Sequence, residues 1–155
     1  MTDDSPAATR PVVQLRVETA LWDPARGWPE AVRHVASRFA RVRVLDADTL
    51  LVSGDLATQV RWLLEWAGTD IDVNRELGRY FDEHLPVHVR PDRATNQRVR
   101  SLAREFDIEA VSALPPAPLE SLLRHLGVYR NLAGIHPQAY DLPTWNSAVD
   151  DLDTV

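Results

Sequence analysis

Apolar residues recur at every third or fourth position in five stretches of the chain. Val32, Val35, Ala36 and Phe39 form one stripe, and Val60, Leu63, Leu64 and Ala67 repeat its spacing. Val99, Leu102, Ala103 and Phe106 do so again, as do Leu119, Leu122, Leu123 and Leu126, while Leu77, Tyr80, Phe81 and Leu85 give a similar stripe. Each pattern predicts an amphipathic helix with one face toward a core. Pro29 and the cluster Pro115, Pro116 and Pro118 stand where helices start, and Gly68 and Gly127 where they end. Val12–Val17 and Ile108–Ser112 lack this period; short, apolar and β-branched, they read as buried strands. Val42–Leu45 fits either a strand or the lead-in to a short helix capped by Asp46 or Asp48.

This order predicts an α/β fold. A strand comes first, then a helical block, then a helix–strand–helix run over residues 90–128, the repeating unit of a parallel sheet. The expected division is a core from 12–27 and 88–135, a helical insertion at 28–87, and a turn-rich tail or docking arm at 136–155. Residues 1–11 are polar and acidic, without a basic or apolar signal-peptide region, and are expected to be a disordered leader.

Composition narrows the function classes. Apolar residues at 45% and charged residues at 26% suit an ordinary globular domain. No apolar run approaches the roughly 20 residues that span a bilayer, so no membrane role and a cytoplasmic location are expected. A net charge of −6 argues against nucleic acid as a partner. With no cysteine there is no disulfide or thiolate metal site. All 17 basic residues are arginine, so neither a Schiff base nor a lysine phosphate clamp can come from this chain.

The segment VVQLRVETALWD, residues 12–23, has an apolar strand running into Arg16-Val17-Glu18-Thr19-Ala20-Leu21. Much further on, Ala110-Val111-Ser112 ends a second strand. In order and separation these resemble the first two motifs of the haloacid dehalogenase-like (HAD) superfamily, over roughly residues 12–128. In that family the first strand ends in Asp-x-Asp-Gly-Thr-Leu, a helical cap follows, and the second strand ends in Ser or Thr. The resemblance implies a partial HAD-like, Rossmannoid parallel sheet with an inserted helical cap.

It also implies a changed chemistry. The family's first Asp is a nucleophile, and Arg16 in its place is a permanent cation that cannot form an aspartyl-phosphate. The second Asp is an acid–base group, a role Glu18 keeps with one extra methylene. The third motif is a basic residue, and only Arg130 follows Ser112 outside a helix. The fourth is an acidic pair that holds Mg²⁺ after another strand. Asp150-Asp151 are acidic, but no strand-like run precedes them and the last βα units look absent. A rival alignment places the first motif at Asp46-x-Asp48-Thr49-Leu50, which would restore a nucleophile at Asp46.

The expected site is therefore Glu18 as catalytic acid or base, with Arg16 and Ser112 binding a small anionic substrate that carries phosphate or sulfate. No cofactor and no metal are expected. His84 and His88 have helical metal-ligand spacing, but Pro86 between them should break the helix. Five tryptophans, Trp22, Trp28, Trp62, Trp66 and Trp145, suit core packing or an interface. A sheet lacking its last strands exposes an edge. Either the tail from 128 to 155 or another polypeptide must cover it, and the tryptophans and the turn-rich tail favour the second. A partner subunit makes the chain part of a heteromeric enzyme of small-molecule metabolism; the alternative is a stand-alone, catalytically inactive binding or scaffold module.

Overall fold

In a computed structural model, residues 10–39, 47–52, 54–67 and 72–155 are described. The fold is α/β, with a small parallel sheet and predominantly helical surroundings. Strand β1 (Val12–Arg16) is followed by one π-helical turn (Val17–Leu21). Helices α1 (Trp28–Phe39), α2 (Ala47–Val52), α3 (Leu56–Ala67) and α4 (Val73–His88) make up the block after it. Then come α5 (Arg93–Ala103), β2 (Asp107–Val111), α6 (Pro116–Leu126), β3 (Gly134–His136) and the short α7 (Pro143–Ser147).

The sheet order is β1-β2-β3, all parallel, with Val13 opposite Ile108 and Leu15 opposite Ala110. Period-2 alternation then separates the faces. Val13, Leu15, Ile108 and Ala110 join the main core with Leu119, Leu122 and Leu123 of α6, whereas Gln14, Arg16 and Glu109 point the other way. Burying a side chain such as Leu122 contributes about 1.5–3 kcal/mol. Helix α6 starts where its prolines fix φ, with Pro115 as cap and Pro116 in the first position, and stops at Gly127, whose φ of 83° is left-handed.

Helices α4 and α6 approach closely at Gly78, where an added Cβ would stand 2.7 Å from the Ala117 Cβ. In the block before α4, buried Gln59 ties three segments together. It accepts from the Trp28 indole N–H at 2.8 Å and donates to the carbonyls of Leu51 and Gly54 at 3.0 Å each. The Trp22 ring meets Phe81 edge-on at 6.0 Å and joins the block to the turn after β1.

Several expectations change. The first strand ends at Arg16 rather than Val17, because Val17 opens the π turn with its carbonyl accepting from Trp22 N–H at 2.8 Å. The second strand is Asp107–Val111, leaving Ser112 just beyond its end. Pro86 does not break α4, which continues to His88. Its missing N–H forfeits one bond near the helix end, and the Val89 N–H still closes onto the Leu85 carbonyl at 2.9 Å. Val42–Leu45 and Asp46 lie outside the described residues; Asp48, Thr49 and Leu50 are helical, in α2.

The tail is more ordered than its turn-rich letters suggest. Val149 forms a parallel bridge with Leu15 on the edge of β1 opposite β2. The Arg16 N–H donates to the Val149 carbonyl at 2.9 Å, and the Val149 N–H to the Gln14 carbonyl at 2.7 Å. Part of the β1 edge is thus met by the tail, one of the two coverings expected for an open sheet edge. Among the described residues, no helix is long and apolar enough to cross a membrane.

Candidate functional site

The carboxyl ends of β1 and β2 bring Glu18 and Ser112 together. The π turn directs Glu18 inward, where it is buried, while Ser112 follows β2 and is buried completely. The Ser112 hydroxyl donates to Glu18 Oε1, and the Ala113 N–H donates to the same oxygen at 3.1 Å. Ser112 Oγ in turn accepts from the Leu114 N–H at 3.0 Å. The hydroxyl proton is committed to Glu18, so Ser112 has none left for a substrate oxygen.

Glu18 Oε2 is buried with no hydrogen-bond partner among the described residues. Burial pushes the Glu18 carboxyl above its ordinary value, against the opposing pull of the Ser112 and Ala113 hydrogen bonds and the Arg16 charge. A carboxyl held toward its protonated form, with one oxygen uncommitted, is able to give or take a proton.

Arg16 has a different setting. Its Nη1 meets Asp150 Oδ1 at 3.1 Å, and its Nη2 donates to the Trp145 carbonyl. The guanidinium carbon lies 4.5 Å from the centroid of the Trp145 ring. Thr19 Oγ1 donates to the same Asp150 oxygen at 3.1 Å. Two of the three guanidinium nitrogens are therefore turned to the tail, and the anion they face is a residue of the same chain. The buried Nε has no hydrogen-bond partner among the described residues. Ser147 donates to Gln14 Oε1 at 3.2 Å, adding a further link between tail and sheet.

Asp150 follows a segment paired with β1, although no strand-like run announces it in the sequence. Its distance of 134 residues from Arg16 in the chain leaves no local spacing to read. Trp145 is separated almost as far. The one signal available was compositional, an acidic pair and a tryptophan within an otherwise turn-rich tail.

The remaining candidates separate from this site. Asp48 of α2 pairs with Arg33 at 3.5 Å. His84 stacks on Tyr80 at 4.7 Å, whose ring also meets His34 at 5.0 Å. His125 Nε2 donates to the Val89 carbonyl at 2.6 Å. Among the described residues, no group of three or more His, Cys, Asp or Glu could hold a metal ion. Trp22 and Trp28 are buried core residues, whereas Trp62 is 47% exposed. Arg130, the basic residue left for the third motif, is exposed beyond α6.

Comparison with protein-family models, with curated proteins and with solved structures finds no match to this chain.

Proposed function

We propose that the chain is a HAD-like protein that does not carry out phosphoryl transfer and works as a binding module of small-molecule metabolism in the cytoplasm. The observation that carries this reading is the closure of Arg16 by Asp150 and Trp145. A phospho-enzyme needs a nucleophile near an anion-binding cation and a metal-neutralised acid pair. Here the first-motif position is the cation itself, and an acidic residue of the tail neutralises it. Ser112 gives its only proton to Glu18 and accepts from the Leu114 N–H. Of the three groups expected to manage a substrate, Glu18 and Ser112 bond to each other and Arg16 bonds to the tail, while Glu18 Oε2 and Arg16 Nε have no hydrogen-bond partner among the described residues.

The family resemblance gains support from two placements. The two motif-bearing strands are adjacent and parallel, and Asp150 follows chain that lies beside the first of them. An Arg16–Asp150 ion pair then takes the place that nucleophile, metal and acid pair share in an active member.

One observation favours a second reading, in which the chain is a subunit of a heteromeric enzyme acting on a phosphate- or sulfate-bearing substrate. Glu18 retains a buried, uncommitted oxygen and a carboxyl shifted toward protonation, the equipment of a general acid. A partner chain would then have to supply the anion-binding groups that Arg16 and Ser112 do not offer.

One measurement tests what both readings share, and a second separates them. The purified chain is expected to release no phosphate from a generic phosphate ester, with or without Mg²⁺; metal-dependent hydrolysis above background would sink both readings. Against a co-purifying partner, Glu18→Gln is expected to leave assembly and any turnover intact. Loss of turnover with assembly preserved would instead establish the subunit reading.

A further inference from the structure

The tail sits on β1 through a short set of contacts. Val149 makes an isolated bridge to Leu15, between the short α7 and a bend, so no continuous fourth strand forms there. The Arg16 N–H reaches the Val149 carbonyl at 2.9 Å, and the Val149 N–H reaches the Gln14 carbonyl at 2.7 Å. The carboxylate that completes the contact comes from the solvent side: the Asp150 side chain is 58% exposed where it meets Arg16 at 3.1 Å. An ion pair so open to water holds weakly.

The fit is also incomplete. Asp150 takes Nη1 of Arg16 and the Trp145 carbonyl takes Nη2, which leaves the buried Nε with no acceptor among the described residues. Thr144 Oγ1, on the tail's side of the contact, is buried and unpartnered among them as well. A buried donor without an acceptor forfeits its lost hydration. A guanidinium presents Nε and an Nη on one edge, and a carboxylate fills such an edge with two parallel bonds.

What the edge holds from its own chain defines what it accepts from another. It takes an apolar residue in extended conformation, a carboxylate directly after it on the guanidinium, and an aromatic ring 4.5 Å from the guanidinium carbon. Strand addition at a sheet edge is a general mode of peptide recognition. The tail of a second copy offers only these same contacts, and it competes with a tail that acts at high effective concentration. An occupant that displaces the tail has to make a bond the tail does not make, and Nε supplies it. Undocking also carries Asp150 and Asp151 away, so the incoming carboxylate meets a cation whose counter-ion has left.

We infer that the β1 edge is a docking site for an extended acidic segment of a partner protein, and that the tail is a displaceable strap closing it. The segment pairs an apolar residue with Leu15, as Val149 does, and sets a glutamate across Nε and Nη1 of Arg16. This rests on the reading of the chain as a binding module and names its ligand class. Phosphate release would sink that reading and leave the peptide contact to be measured on its own. A failed peptide titration without phosphate release would remove the ligand and keep the module.

The test is a titration of the ¹⁵N-labelled full chain with three synthetic peptides of residues 143–151: the native sequence, Asp150→Glu and Asp150→Asn. Saturable shifts are expected at the Arg16 and Val149 amides, and affinity should fall in the order glutamate, native, asparagine. Amides of α4 and α6 should not move, which reports an intact fold in every variant. In the Asp150→Ala chain, whose strap has lost its ion pair, the glutamate peptide should bind about fivefold more tightly than in the parent. Arg16→Gln should abolish binding. No saturable shift in the Asp150→Ala chain, or any other order of the peptides, would overturn the site. So would a chain that dimerises in solution and turns monomeric in Arg16→Gln, because a second copy would then be the occupant.

Discussion

At Glu18 burial and hydrogen bonding oppose each other, and burial wins. The consequence for stability has a definite sign. A carboxyl whose folded value lies above its unfolded value binds its proton more tightly when folded. Its favourable contribution is complete below the unfolded value, near 4.5, and is lost as pH rises through the raised folded value. Above that range an ionised Glu18 burdens the fold with one unpaired buried oxygen. Glu18→Gln keeps an acceptor for Ser112 and Ala113 and removes the charge. Urea unfolding is expected to show the variant at least as stable as the parent at pH 8, with its advantage shrinking toward pH 5. A variant much weaker than the parent at pH 8 would mean that the carboxylate has a partner. Glu18 and Ser112 were both legible in the sequence as the ends of two strands. Their mutual bond was not, because it depends on the π turn, a one-residue departure from helical spacing that no apolar pattern encodes.

At the level of elements, the helical stripes translate directly into packing because 3.6-residue periodicity states which face is buried. Leu77, Phe81 and Leu85 of α4 and Leu119, Leu122 and Leu123 of α6 are all buried, as their spacing requires. The contact between these helices depends on a residue the stripes overlook. Gly78 has no side chain to contribute to a hydrophobic pattern, yet its missing Cβ is what lets Ala117 approach. Gly78→Ala would place two methyl groups 2.7 Å apart and is expected to cost about 1–3 kcal/mol in denaturant unfolding, despite alanine's better helix propensity. Ala117→Gly should recover part of that loss in the double variant. A neutral or stabilising Gly78→Ala would show that the helices do not meet at this point. Strand β3 escaped the sequence reading for a related reason: three residues, Gly134–His136, are too few to establish alternation.

For the molecule as a whole, the tail sets how the sheet ends. A three-stranded parallel sheet leaves edges and a second face, and parallel sheets are normally covered on both sides. Here one face meets α6 in the core, and the polar face receives Trp145 on Arg16 and Ser147 on Gln14. This arrangement could not be read from the chain because every contact in it spans more than 125 residues. Sequence patterns capture local periodicity, whereas a docking tail is specified by complementarity at a distance. The same tail decides the functional reading, since it supplies the carboxylate that neutralises Arg16. Native-state hydrogen exchange tests this most directly. The Val149 and Arg16 amides, bonded across the β1 edge, are expected to be protected in the parent chain. In Arg16→Ala the Val149 amide should exchange faster while amides of α4 and α6 keep their protection. A Val149 amide that exchanges at the unprotected rate in the parent chain would show that the tail does not close the site, and the account built on Arg16 and Asp150 would fail.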